Sequence, residues 1–304
     1  MDNIRRRASR GALAMLAACG IWGLIPLYYD LLAHVGPTVI LAHRTIWSFV
    51  FFAIVLLVQG RIGALLTTVS DRRSIGWLVL AASMISVNWF LFIYAVQVGR
   101  VTESSLGYYI FPLISVLFGF TIFRERLSAA QWLAVGFAAL AVIVLTVGLG
   151  TAPWISLIMA TTFAIYGVLK KQVNVGPVVS VTTEVLVLTP IALAWLVHSG
   201  GLGASDTQTV LLLAASGPLT AGPLILFSYA AKRVRMATLG VLQYINPSLH
   251  FLLALWVFGE PMGTAHAIAF PMIWLGLALY SWSAFAQDRA ERRESFSSPT
   301  VSTS

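Results

Sequence analysis

The chain has 304 residues, 59% of them hydrophobic and 10% charged, and a mean hydropathy of +0.87. A soluble domain of this length cannot hide that much apolar surface from water, so the composition indicates an integral membrane protein. The net charge of +8 has a topological explanation, given below, rather than a nucleic-acid one, and the single cysteine, Cys19, excludes an intrachain disulfide and a cysteine metal cluster.

Apolar stretches of about 20 residues, the length that crosses roughly 30 Å of hydrocarbon, occur ten times. An arginine-rich arm, 1–10, precedes the first span at 11–30. Inside that span Leu16-Ala17-Ala18-Cys19 has the look of a lipoprotein cleavage site. The apolar run nevertheless continues through Gly20-Ile21-Trp22-Gly23, so no cleavage is expected and Cys19 reads as a packing residue. The second span, 37–58, opens on Gly36-Pro37 and carries Arg44. The third, 76–97, holds Asn88 beside Trp89; the fourth, 102–123, holds Tyr108, Tyr109 and Pro112; the fifth is 129–149.

The sixth span, 153–170, contains Tyr166 followed by glycine, as Trp22 is in the first. The seventh, 178–198, follows Gly176-Pro177 and carries Glu184. The eighth is 209–231, the ninth, 237–258, holds Gln243, Tyr244, Asn246 and Pro247, and the tenth is 264–286. The remaining 287–304 forms a tail with a Ser/Thr-rich end that reads as disordered. Connections are too short for a soluble domain.

Tyr109-Ile110-Phe111-Pro112, Phe123 and Glu125 return 135 positions later as Tyr244-Ile245-Asn246-Pro247, Phe258 and Glu260. Tyr94 to Glu125 laid on Tyr229 to Glu260 gives nine identities in 32 positions. The copies, in the fourth and ninth spans, are offset by five spans, an odd number, so they face opposite ways, an arrangement typical of secondary transporters. The expected fold is an all-α integral membrane protein of ten transmembrane helices, in two inverted five-helix repeats, 11–149 and 153–286, around a central cavity. On this reading 17 of the 19 Lys and Arg residues fall on one side, which places both termini in the cytoplasm. The exceptions are Arg44, within a span, and Arg100, the repeat partner of Arg235.

Pro112 and Pro247 lie about ten residues, roughly 15 Å, from the ends of their spans. A proline there lacks an amide and clashes four residues back, which would free the carbonyls of Tyr108 and Gln243. Such carbonyls are tolerated where they line a wet cavity. With Tyr108, Tyr109, Gln243, Tyr244 and Asn246 they make a candidate solute site; a kink packed against its neighbours is the alternative. Arg44 and Glu184 are charges at depth and read either as anchors within each half or as solute or proton contacts. Their depths differ by on the order of 10 Å, which argues against a direct pair. Asn88 reads as helix-to-helix glue or cavity lining, and Trp22 and Tyr166 as packing or a repeat-related pair facing the cavity. Glu103 suits the positive end of the fourth helix, and Glu125 and Glu260 read as caps of the helices that follow them. The five histidines, His34, His43, His198, His250 and His266, show no spacing for haem or zinc, and no cofactor is expected.

Five runs resemble RarD-type permeases of the EamA, drug/metabolite transporter superfamily: Ala42-His43-Arg44-Thr45-Ile46-Trp47-Ser48-Phe49, Asn88-Trp89-Phe90-Leu91-Phe92, Ser105-Leu106-Gly107-Tyr108, Gln131-Trp132-Leu133-Ala134 and Gln243-Tyr244-Ile245. The likeness extends from the first span to the last. It implies a bacterial inner-membrane permease or exporter with ten helices, inverted repeats and a central cavity, in a group loosely associated with chloramphenicol. Phe111 departs from the family, which tends to have a small or polar residue before the first repeat proline. The expected partners are a small organic solute and the lipid bilayer, with a proton as a possible coupling ion. An intramembrane lipid-modifying enzyme would need clustered acidic or histidine ligands near one interface, and a channel an open polar pathway.

Overall fold

The computed structural model describes residues 2–124, 127–150, 152–170, 172–200, 206–231, 233 and 242–297. Among them the secondary structure is entirely helical: α1 Asp2–Asp30, α2 Pro37–Val58, α3 Ile62–Ser70, α4 Arg72–Gln97, α5 Val101–Phe123, α6 Ala129–Leu149, α7 Trp154–Lys170, α8 Pro177–Ser199, α9 Thr207–Ala231, α10 Ile245–Trp256 and α11 Thr264–Ser297. Eight of these (α1, α2, α4, α5, α6, α8, α9 and α11) are long and apolar enough to cross a membrane, and α7 is a shorter apolar helix. The chain is a multi-pass membrane protein. The ninth expected span, 237–258, begins outside the described residues, which resume at 242.

Local chemistry sets the helix ends. Pro37 and Pro177 open α2 and α8, where the missing amide costs nothing and the fixed φ suits a first turn. Asp71 caps α4, accepting from the Ser74 amide at 3.0 Å, and Ser128 with Gln131 forms a reciprocal capping box at the start of α6.

Three features differ from the sequence reading. The nine-residue helix α3 occupies the connection after the second span. Helix α1 starts within the expected arm, at Asp2, and α11 continues to Ser297, into the tail expected to be disordered. The stretch 287–294 is rich in helix-forming residue types, and it extends a helix already nucleated. Finally, Pro247 does not interrupt the middle of a helix. The helical run is broken by a turn at Tyr244, and Pro247 falls in the first turn of α10, where no amide is required, so it displaces no helical bond to Gln243. Pro112 does lie inside its helix.

Packing follows membrane rather than aqueous rules. Along α6 the buried positions are Ala134, Ala138, Ala141 and Leu145, whereas Ile143 and Val147 point outward, Val147 at 77% exposure. Small residues let the backbones approach. A Cβ on Gly276 of α11 would stand 3.0 Å from the Ala134 carbonyl, and one on Gly107 of α5 3.1 Å from the Ser156 carbonyl of α7.

The most extensive helix packings form a set that maps onto itself when the halves are exchanged. Helix α5 lies on α7 as α10 lies on α1; α4 lies on α7 as α9 lies on α1; α2 lies on α9 as α8 lies on α4. The pairs α2–α8, α5–α10 and α6–α11 are their own counterparts.

Candidate functional site

Helix α5 carries the tyrosine pair, and consecutive residues on a helix are about 100° apart. Tyr108 and Tyr109 therefore enter different clusters, and the candidate residues divide between them.

Tyr108 joins a group built from α1, α4, α7 and α10. Its ring meets Phe92 at 6.0 Å, Phe163 at 6.1 Å and His250 at 5.8 Å. Its hydroxyl reaches the Asn88 side-chain oxygen at 3.4 Å, a long bond, while the Asn88 amide donates to the Met159 carbonyl at 2.9 Å. Asn88, 1% exposed, thus ties α4 to α7 and steadies Tyr108. Trp22 is half-buried with its ring 6.3 Å from Phe227, and its carbonyl accepts from His250 Nε2 at 3.0 Å. A carbonyl only accepts, so the imidazole proton sits on Nε2 and leaves Nδ1 as an acceptor. That Nδ1 is buried without a partner, as is Oδ1 of Asn246, one turn earlier on the same helix. Two uncommitted acceptors one turn apart suit a solute bearing N–H or O–H groups.

Tyr109 turns toward α10 and α11. Its hydroxyl bonds Ser248 Oγ at 2.6 Å, and Ser248 in turn donates to the Tyr244 carbonyl at 2.7 Å. The Tyr109 and Tyr244 rings stack at 6.5 Å, with Trp274 6.4 Å from Tyr109. These residues line an open groove of about 360 Å³ with Leu277, Ala278 and Ser281. Gln243 is exposed. The carbonyl of Pro247 accepts from Ser105 Oγ at 2.7 Å, which fastens α10 to α5.

The two charges at depth are not partners of each other. Glu184 is held by the Lys170 ammonium at 2.5 Å, by the Ser180 hydroxyl at 3.1 Å and by the Tyr166 hydroxyl at 3.1 Å. Tyr166 stacks on Phe163 at 5.9 Å, so this group adjoins the Tyr108 cluster. Arg44 donates to the Tyr29 hydroxyl at 2.7 Å and lies 4.1 Å from the centre of the Trp89 ring. Glu260 is a cap, but not of the helix after it: its carboxylate accepts from the amides of Val101 and Thr102, the latter at 2.8 Å, at the start of α5. A free helix N-terminus nearby outcompetes the local one because its amides point at the carboxylate. Glu103 pairs with Arg100; Glu125 lies outside the described residues.

His250, Ser248, Trp274 and Lys170 were not among the candidates. The available signal was spacing: His250 stands four after Asn246, on the same helical face.

Comparison with known proteins accords with this architecture. The EamA-like transporter family model matches twice, at residues 9–147 and 151–282. A protein named RarD from Streptomyces exfoliatus is 42% identical over 96% of this chain and 94% of its own length. Protein RarD of Escherichia coli is 36% identical, covering 93% of this chain and 98% of its own. The uncharacterized transporter YojE of Bacillus subtilis is 40% identical, over 93% and 97%. A solved crystal structure at 21% identity superposes with a TM-score of 0.60 over 92% of this chain and 99% of that one, a likeness of fold. The chain belongs to the EamA-like transporter family, as a RarD-type permease of the drug/metabolite transporter superfamily.

Proposed function

We propose that the chain is a secondary transporter that carries a small organic solute through the bacterial inner membrane by exposing a midplane site to each side in turn. Two five-helix repeats, 11–149 and 153–286, inverted relative to each other, would rock about that site. Both termini lie in the cytoplasm on this reading, which the distribution of Lys and Arg supports. The observation that carries the proposal is the helix packing that maps onto itself on exchange of the halves. On this reading exchange of the halves would relate an inward-facing packing to an outward-facing one, with a gradient driving the change.

The site comprises Trp22, Asn88, Tyr108 and Tyr166 with Asn246, whose side-chain oxygen is buried and unpartnered, and the Tyr109–Tyr244 groove. Beside it the Ser105 hydroxyl bonds the Pro247 carbonyl and fastens α5 to α10, and Pro112 lies within α5. Solute uptake or counterflow into proteoliposomes, with a panel of metabolites and antibiotics and with or without a proton gradient, tests the proposal. Tyr244→Ala and Asn246→Ala are expected to lower transport at least tenfold while the protein inserts at native levels. Native rates in both variants would remove the site, and catalytic turnover without solute movement would replace the transporter by an enzyme.

A further inference from the structure

Arg44 lies two turns into α2 and is 6% exposed. Its guanidinium is flanked by the Trp89 ring and hydrogen-bonded to Tyr29. Its Nε is buried without a partner, and so is Ser48 Oγ, one turn further along the same face. Among the described residues the ion pairs join Arg100 to Glu103 and Lys170 to Glu184, and no carboxylate pairs with Arg44.

The contrast with Glu184 sharpens the point. Glu184 stands eight residues after Gly176, as Arg44 stands eight after Gly36. The acid has its lysine, whereas the arginine has only rings and a phenol. A ring face attracts a guanidinium but neutralises none of its charge and occupies none of its in-plane N–H groups. A buried charge without a counter-charge is costly, and a planar carboxylate is the group that a guanidinium edge matches. The position also borders the solute site: the Tyr29 ring lies 5.9 Å from Phe92, which touches Tyr108 at 6.0 Å and His250 at 5.2 Å.

We infer that Arg44 is the anion-binding residue of the solute site, so that the transported molecule is a carboxylate whose charged end is held by Arg44 with a hydrogen bond from Ser48. Its apolar or aromatic body lies against Phe92 and Tyr108. This inference rests on the permease reading above and deepens it by naming the substrate class.

The test uses the full-length protein in detergent and three probes of one shape: phenylacetate, phenylacetamide and phenethylamine. Binding is followed by tryptophan emission, to which Trp89 contributes, and by the shift in thermal unfolding. Phenylacetate is expected to bind at least tenfold more tightly than the amide, and the amine not to bind. Arg44→Gln abolishes the discrimination between acid and amide with helical content unchanged, and Arg44→Lys retains it in weakened form. Should Arg44→Gln fail to fold, Ser48→Ala serves instead, lowering affinity for the acid several-fold and leaving the amide unaffected. Equal binding of acid and amide, discrimination that survives Arg44→Gln or, as the fallback, is undiminished by Ser48→Ala, or no binding of the acid overturns the inference. In proteoliposomes the two readings separate. Movement of neutral or cationic solutes but of no carboxylate keeps the permease and removes the role of Arg44. Carboxylates that bind through Arg44 yet never cross keep that role and remove the permease.

Discussion

The Lys170 ammonium lies 2.5 Å from a carboxylate oxygen of Glu184, whose side chain is 2% exposed. The pair joins the end of α7 to a position two turns into α8, with Ser180 and Tyr166 completing the coordination of the acid. A buried pair of this kind need not add stability over an apolar one, but half of it is damaging. Lys170→Met is expected to cost about 3–5 kcal/mol by stranding the carboxylate. Adding Glu184→Gln should recover most of that loss. Thermal unfolding in detergent of the two single variants and the double variant checks it; a double variant as unstable as the sum of the singles would show that the two side chains act independently.

Glu260 closes the amino end of α5 from a distant part of the chain. Glu260→Ala leaves two amides without acceptors and is expected to lower stability by about 1–2 kcal/mol, whereas Glu260→Gln, which keeps one acceptor, should lose about half as much. Unfolding temperatures of the two variants, ranked against the native protein, decide this.

Glycines in these helices fall into two kinds. A Cβ on Gly217 of α9 would run into the backbone carbonyl of Trp47 on α2, whereas one on Gly136 of α6 would meet nothing within 4 Å. Gly217→Val is therefore expected to cost about 1–3 kcal/mol and lower the yield of folded protein. Gly136→Ala should be neutral or stabilise by up to about 1 kcal/mol, because it removes only backbone freedom. Monodispersity after extraction and thermal unfolding compare the two directly.

Much of the scaffold was legible because the bilayer imposes a length. The expected second and fifth spans coincide with Pro37–Val58 and Ala129–Leu149, since proline and a serine cap announce their starts. Residue orientation was not legible in the same way. In a span that is apolar all round, periodicity does not say which face is which, so nothing separated Tyr108 from Tyr109, which the structure sends to different clusters. Helix α3 was missed because nine residues are too few to cross a membrane, and the break at Tyr244, which puts Pro247 in a first turn, leaves no trace in hydropathy. The cap supplied by Glu260 was read as local because its true partner lies 158 positions away at Thr102. His250 was judged by metal spacing alone, a criterion blind to its bond with the Trp22 carbonyl.

The distance in sequence between the head of α5 and Glu260 has a consequence for biogenesis. The amides at the head of α5 leave the ribosome well before the acid that closes them, with 159 positions between Val101 and Glu260. Until translation has delivered the second repeat, the first holds an open helix end. The nascent first half is thus a client awaiting its complement, and separately expressed halves should require co-synthesis to survive quality control.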